Sequence, residues 1–337
     1  MGYSISILNN VRANASEDYK NRIPVATQNN FSEIGNAFST YTAEYNEFKS
    51  ALLHKIGKTR IEDKLFKNKL ARFKTGTVLT QQDVEEIFID MAKAGTEYDP
   101  NGNGALARSE DDNVKVVYHR MNRRNTYDVS IGDVDFLRAF KSEATLDAFI
   151  AGLINAMYSR AAHDEWLMMK NLLATYAKDG GDPAYFDYGV PAITSATAEA
   201  SARTFVKTLR KAINDLTFAS TAYNKMGVTT WSEPSNLVLL VNKDVVAEVD
   251  VEVLAKAFNL GKTDIEPEIV IMDDFGTLTD TYGLLIDKDF FRVFDTLSTT
   301  ETQRNAKGLF TNYFYHVQQI LSLAPFKNAV RFKVENA

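Results

Sequence analysis

The chain has 337 residues, enough for two or three domains or for one large irregular domain. Hydrophobic residues make up 45% of it, so a substantial core can be buried, and a formal net charge of -6 is not that of a general nucleic-acid binder. The chain contains no cysteine, which excludes disulfides, thiolate metal sites and cysteine nucleophiles. The N-terminus has neither the basic region nor the apolar run of a signal peptide, and no apolar stretch is long enough for a membrane span. We therefore expect a soluble product that folds inside the cell.

The first fifty residues are mostly polar and are punctuated by Pro24, which predicts a loosely built N-terminal arm. Within them, apolar side chains recur every three or four residues and predict one amphipathic helix. These side chains are Ile34, Phe38, Tyr41, Tyr45 and Phe48.

A basic segment follows, opposed only by Glu62 and Asp63. Its cations are Lys58, Arg60, Lys64, Lys67, Lys69, Arg72 and Lys74. Because the segment has few aromatic residues and the chain is acidic overall, we interpret these cations as a salt-bridging face towards an acidic protein surface. The sequence of residues 58–131 predicts mostly extended structure. For residues 84–91, periodicity does not distinguish a strand from a short helix.

The stretch DPNGNGALARSE, from Asp99 to Glu110, matches the calcium-loop pattern letter for letter. Asp99, Asn101, Asn103 and Glu110 are the candidate oxygen ligands. The strand-like NVKVVYH that follows is not the helix an EF-hand requires, and Pro100 suits a turn. The favoured interpretation is an exposed turn with no metal, and calcium binding is kept as the alternative function.

The strongest periodic pattern runs from Thr145 to Lys178 and predicts one long helix, with Thr145 as N-cap and the glycines at 180 and 181 as its end. Beyond it, Phe205 to Leu216 predicts a second helix, LVLLVN and EIVIMD predict buried strands, and 249–260 predicts a helix. This alternation indicates a compact α/β unit over about 195–300. The C-terminal segment is aromatic and rich in strand-forming residues, and Pro325 interrupts it.

No reaction centre stands out. The motifs H-E-x-x-H and G-x-S-x-G are absent, and the four histidines are scattered along the chain. A hydrolase that uses His163 and scattered acids is a distant third hypothesis. We predict no catalytic residue, no cofactor and no metal, and the profile favours an assembly protein over an enzyme.

Several long blocks resemble one family. RIPVATQNNFSEIGNAF, NVKVVYHRMNRRNTYDVSI, FIAGLINAMYSRAAHDEWLMMKNLL and the blocks 247–275 and 284–332 are similar, in the same order, to major capsid (head) proteins of small short-tailed phages of the phi-twenty-nine type. The resemblance covers nearly the whole chain. It implies an α+β tailed-phage major capsid fold of the Hong Kong ninety-seven type, with an N-terminal arm, an extended E-loop, a peripheral domain with a long spine helix, and an axial domain.

On this resemblance we assign 1–50 to the arm, 51–93 to the E-loop region and 94–194 to the peripheral domain with the spine helix at 145–178. Residues 195–300 are the axial domain and 301–337 the C-terminal return to the peripheral domain. Some relatives carry an additional immunoglobulin-like domain, which we expect this chain to lack because it ends at FKVENA.

The resemblance also implies a function. The chain would be a structural subunit that self-assembles into hexamers and pentamers of an icosahedral or prolate head. The cations of the segment from Lys58 to Lys74 would be subunit-interface candidates that meet acidic neighbours such as the Glu110–Asp112 cluster or the spine region. Its other partners would be scaffolding and portal proteins and DNA held without sequence specificity. Assembly would take place in the host cytoplasm, with no membrane.

Overall fold

A computed structural model describes residues 3–56, 66–78, 83–91, 97–98, 100–101, 113–140, 143–178, 181–193, 198–248 and 268–335. These residues form two compact units. The first unit comprises Met1–Ala71, Asn122–Trp166 and Asp295–Gln319, and the second comprises Arg72–Met121, Leu167–Phe294 and Ile320–Ala337.

The helices are α1 (Tyr3–Ala13), α2 (Glu17–Arg22), α3 (Phe31–Thr40), α4 (Thr42–Ile56), α5 (Asp133–Ala139), α6 (Glu143–Ala174), α7 (Ala198–Leu216) and α8 (Lys243–Glu248). The strands are β1 (Gly76–Thr77), β2 (Val84–Ile89), β3 (Val114–His119), β4 (Arg123–Gly132), β5 (Phe186–Pro191), β6 (Leu237–Asn242), β7 (Glu268–Met272), β8 (Thr281–Asp287), β9 (Phe291–Asn305), β10 (Phe310–Leu323) and β11 (Ala329–Glu335). Within the described ranges, no helix is both long enough and apolar enough to cross a membrane.

The N-terminal residues of the first unit are not loosely built. Helices α1 to α4 share one buried core, in which the Phe38 ring lies 4.9 Å from Phe48 and 5.2 Å from Phe140. The Arg12 side chain ties the helices together by donating to the carbonyl of Ile23 at 2.9 Å. The polar composition of these residues does not reveal the core, because each short helix contributes only one to four buried apolar side chains to it.

The single helix predicted through Ile34 and Phe48 is two helices that meet at Tyr41. Tyr41 has φ -112° and ψ 86°, outside the helical region. The hydroxyls of Ser39 and Thr40 donate to the carbonyls four residues earlier, which is a local competition that weakens a helix. The apolar stripe continues because both helices pack on the same core.

Helix α6 confirms the long helix, but it ends at Ala174 and not at Lys178. In the second unit, the Tyr185 hydroxyl donates to the carbonyl of Leu173 at 2.9 Å, and Lys178 donates its amide to Asp182 at 2.7 Å. The first bond satisfies a carbonyl in the last turn of the helix, and the second closes the loop that leads to β5. The proposed N-cap Thr145 lies inside the helix.

The second unit contains a five-stranded sheet in the order β5-β11-β8-β6-β7. β6 lies between β8 and β7, and its residues Leu237 to Val241 are fully buried. It runs parallel to β7 and antiparallel to β8. Helix α7 adds Phe205, Leu209 and Ile213 to the same core. The predicted strands LVLLVN and EIVIMD and the helix over Phe205–Leu216 are confirmed, whereas the helix predicted at 249–260 lies outside the described residues.

In the first unit, β4 pairs antiparallel with β10, and Arg123 lies opposite Gln319. Strand β4 therefore begins within the basic stretch RMNRRN, at Arg123. Arg123 is 1% exposed. Its guanidinium donates to the Gln319 side chain, to the Tyr127 hydroxyl at 2.9 Å and to the Ala161 carbonyl at 2.8 Å, so the buried charge is held by hydrogen bonds.

Candidate subunit interface

The second unit carries a two-stranded antiparallel ribbon made of β2 and β3. Ile89 lies opposite Val114 and Ile87 lies opposite Val116. Side chains alternate between the two faces of a strand, so these four belong to one face and Phe88 and Glu86 to the other. The ribbon resolves the ambiguity over 84–91 in favour of a strand.

The inner face of the ribbon is attached to the rest of the second unit. The Phe88 ring stacks on Phe326 with centroids 5.2 Å apart. The Lys115 ammonium donates to the carbonyl of Met226 at 2.8 Å, and the Asp90 carboxylate accepts from the Thr229 amide at 3.2 Å. Both β2 and β3 are therefore attached to the rest of the second unit by contacts of their own.

A polar cluster that is buried at His119 and half-buried elsewhere lies at the base of the ribbon. We call Glu86, His119, Arg292 and Ser322 the ribbon latch. Glu86 lies 2.9 Å from the Nε2 atom of His119 and accepts from Arg292 at 2.7 Å, while the His119 Nδ1 atom lies 2.7 Å from the Ser322 hydroxyl. Burial raises the pKa of Glu86, but the hydrogen bonds from His119 and Arg292 and the Arg292 charge outweigh it and lower this pKa to about 2. The latch joins four strands through one ionised carboxylate.

The order Ser322, His119, Glu86 resembles that of a hydrolase triad. Here, however, the Ser322 hydroxyl also donates to the Arg292 carbonyl at 3.2 Å, and the Arg292 guanidinium is hydrogen-bonded to the Glu86 carboxylate. The His119 side chain is only 3% exposed. These contacts hold strands together. The other histidine considered, His163, lies 3.9 Å from Asp164 and packs edge-on against Phe66 in the first unit.

The outer face of the ribbon is apolar and exposed to solvent; we call it the ribbon face. Its members and their exposed fractions are Ile87 (56%), Ile89 (72%), Val114 (52%), Val116 (39%) and Tyr118 (56%). An ordinary amphipathic ribbon would cover its apolar side chains and expose its polar ones. A contiguous exposed apolar surface of this kind marks an interaction site.

Only part of the basic segment falls within the described residues. Lys58, Arg60 and Lys64 lie outside them, and Lys67 and Lys69 are exposed in the first unit. In the second unit, Arg72 pairs with Glu268 at 3.0 Å and lies 5.1 Å from the centre of the Phe73 ring. The structure places Lys74 beside Arg72 in a groove of about 260 Å³. The role of these cations at an interface stays a prediction.

The calcium-loop candidates Asp99, Asn103 and Glu110 lie outside the described residues, and Asn101 is exposed. Among the residues that the structure does describe, no group of three or more histidines and acids is arranged to hold a metal ion.

Reasoning from the sequence missed the ribbon latch and the ribbon face. The alternation in VEEIFI and VKVVYH was visible, but alternation alone does not tell which face is covered. His119 and Arg292 carried no signal, because they are far apart in the sequence and meet only through strand pairing.

The chain matches the family model of the Phi29-like phage major capsid protein over residues 8–333. The chain belongs to the Phi29-like phage major capsid protein family. It is 34% identical to the major capsid protein of Bacillus phage B103 over 98% of this chain and 72% of that protein. It is 35% identical to that of Bacillus phage PZA, with the same coverage, and 24% identical to that of Streptococcus phage Cp-1 over 99% of this chain and 95% of that protein. This confirms the resemblance read from the sequence.

Solved structures agree on the fold. The chain is similar to one in the capsid structure of Staphylococcus phage Andhra, with a TM-score of 0.65, 11% identity and coverage of 82% of this chain and 88% of that one. A chain of the capsid of cyanophage P-SCSP1u gives a TM-score of 0.53, 11% identity and coverage of 83% and 91%. The predicted α+β tailed-phage capsid fold is confirmed. As a member of the Phi29-like family, the chain is a structural subunit of a phage capsid, and the calcium-binding alternative gains no support.

Proposed function

We propose that the chain assembles into hexameric and pentameric capsomers of an icosahedral or prolate head, and that the ribbon face is a contact between neighbouring subunits. Its role is structural, with no catalytic step and no cofactor. Assembly takes place in the host cytoplasm with scaffolding and portal proteins, and the finished shell holds DNA without reading its sequence.

The ribbon face is the observation that carries this proposal. Fully burying one large aliphatic side chain contributes roughly 1.5–3 kcal/mol. Five side chains about half exposed therefore offer on the order of 5 kcal/mol per ribbon, before the cost of association is subtracted. Repeated at every subunit of a closed shell, a contact of this size would contribute to assembly alongside the other subunit contacts.

We further propose the division predicted from the sequence, with residues 1–50 as arm, 94–194 as peripheral domain around the spine helix α6, 195–300 as axial domain and 301–337 as the C-terminal return. One boundary is adjusted. Because β2 pairs with β3 along its whole length, we extend the E-loop region from residue 93 to residue 119, and the peripheral domain then begins at residue 120.

The basic segment is proposed as a second contact. Its exposed cations at 67 and 69, in the first unit, suit an acidic surface on a neighbouring copy. This contact is weaker than the ribbon face, since exposed ion pairs contribute about 0–1 kcal/mol each.

The test compares Ile89→Lys with Ile89→Val in cells that make shells of the wild-type chain. Ile89 is 72% exposed, so neither change alters the folded subunit much. Ile89→Val keeps an apolar, β-branched side chain, and its shells should form normally. Ile89→Lys puts a charge into the contact, and electron microscopy should show folded subunits with few or no shells. Normal shell yield from Ile89→Lys would overturn the assigned role of this face.

A further inference from the structure

A groove of about 600 Å³ runs along one edge of β2 in the second unit. One wall is β2 itself, from Glu86 to Ile89, and continues to Met91. The other wall is the segment 229–233, which includes Trp231, and Phe326 contributes to the lining. At about 3.4 Å per residue, the strand wall is roughly 17 Å long, which is the length of a five-residue extended peptide.

The main chain of β2 presents open hydrogen-bonding groups to this groove. The amide of Asp90 donates to the carbonyl of Asn113 at 2.7 Å, so this pair bonds across the ribbon. Hydrogen-bonded and non-bonded pairs alternate in an antiparallel ladder. The peptide groups of Glu85, Ile87 and Ile89 therefore point away from β3, and no other described strand pairs with that edge.

The opposite wall offers an aromatic platform. Thr230 exchanges both main-chain hydrogen bonds with Ser220, at 3.0 and 3.1 Å, which fixes the segment in an extended form. Trp231 follows directly, and 58% of its side chain is exposed. An extended segment entering the groove gains hydrogen bonds on one side and contact with an indole on the other.

The second half of β2 lacks the usual protection against pairing. Edge strands of soluble proteins are commonly blunted by charged side chains, proline or a bulge. β2 reads VEEIFI, so its two charges lie in its first half, and Ile87 to Ile89 follow without a charge or proline and in continuous register with β3. An open edge next to an apolar face is a template for strand addition.

We propose that this groove takes an extended segment of a second copy of the chain as a third strand against β2. The inference rests on the proposed function, which places copies side by side, and Ile87 and Ile89 belong to both the groove and the ribbon face. The charges of the groove also favour an occupant without a strong net charge. Glu86 is paired with Arg292 at 2.7 Å, and Asp289 lies 3.9 Å from Lys327, so neither sign dominates.

Tryptophan fluorescence tests whether the groove is filled. The chain has two tryptophans, and Trp166 is 7% exposed, so a Trp166→Phe variant reports on Trp231 alone. When free subunits assemble into shells, the fluorescence emission of Trp231 should shift to the blue, and its quenching by acrylamide should fall several-fold. Amide hydrogen exchange at Ile87 and Ile89 in the unmodified chain gives the same readout if Trp166→Phe does not fold. Shells in which Trp231 stays quenchable or these amides stay unprotected would overturn the proposal and leave the proposed function intact.

Further variants test which protein fills the groove and whether it forms main-chain hydrogen bonds with β2. A photo-reactive benzoylphenylalanine at position 231 should cross-link to a peptide of a second copy, and cross-links to any other shell protein would refute a copy as the occupant.

Ile87→Pro removes an amide that points into the groove while leaving the ladder to β3 intact, and Ile87→Ala keeps that amide. Ile87→Pro should reduce shell yield below that of Ile87→Ala. Equal yields would contradict strand addition.

Discussion

The ribbon latch predicts that Glu86 stabilises the second unit by an amount that depends on pH. The pKa of Glu86 is lowered to about 2, from an ordinary value near 4.5. A carboxylate whose pKa is depressed on folding contributes stability above the unfolded pKa and loses it as the pH falls through the folded value. One unit of pKa corresponds to about 1.4 kcal/mol, which gives an upper bound of roughly 3 kcal/mol. Because 19% of the side chain is exposed, solvent screening reduces this to about 1–2 kcal/mol.

The substitution Glu86→Gln removes the charge and keeps a side chain of similar shape. The free energy of unfolding near neutral pH, measured with urea on unassembled subunits, should fall by about 1–2 kcal/mol. Between about pH 5 and pH 2 the variant should lose less stability than the wild type. Glu85→Gln is the matched control. Glu85 precedes Glu86 in β2 but its side chain lies on the exposed face of the ribbon, so this substitution should change the free energy of unfolding by less than about 0.5 kcal/mol. Equal effects of Glu85→Gln and Glu86→Gln, or parallel acid curves for Glu86→Gln and wild type, would refute the reasoning.

Two other predictions concern the first unit, and both are checked by urea unfolding of free subunits. Gly35→Ala should destabilise by about 1–3 kcal/mol because a Cβ there would lie 2.9 Å from the Phe140 Cβ, whereas Gly152→Ala in the exposed part of α6 should stabilise by about 0.5–1 kcal/mol. The same sign for both changes would count against the packing described here. Asp133→Ala should cost about 3 kcal/mol because it strands the buried Lys49, now paired at 2.8 Å, while exposed Asp128→Ala should be near neutral. Comparable losses from these two variants would be inconsistent with a buried ion pair.

The elements that the sequence predicted well are those with one unambiguous pattern. β6 is a continuous apolar run that is buried on both faces, and α7 carries its apolar residues on one stripe. Helix α6 was predicted from its length and spacing, and its last turn was misplaced because the Tyr185 hydroxyl that satisfies it comes from beyond the glycines.

Other features depend on contacts between residues far apart in the sequence. Nothing in the sequence near Arg123 indicates that its guanidinium is buried, because its partners lie far along the chain. They are the Gln319 side chain, the Ala161 carbonyl and the Glu165 carboxylate at 3.7 Å. The ribbon face was missed for a related reason. An alternating strand has one apolar face whether that face is buried or open, and only the fold decides that Phe88 turns inward while Ile87 and Ile89 face solvent.

The central claim is that the ribbon face is the surface on which subunits of this capsid protein meet. A cryo-electron microscopy reconstruction of shells made by the wild-type chain, at a resolution that shows side chains, tests it most directly. The account predicts that a neighbouring copy covers Ile87, Ile89 and Val116, which are exposed in the single subunit. Closed shells in which these side chains remain open to solvent would contradict it.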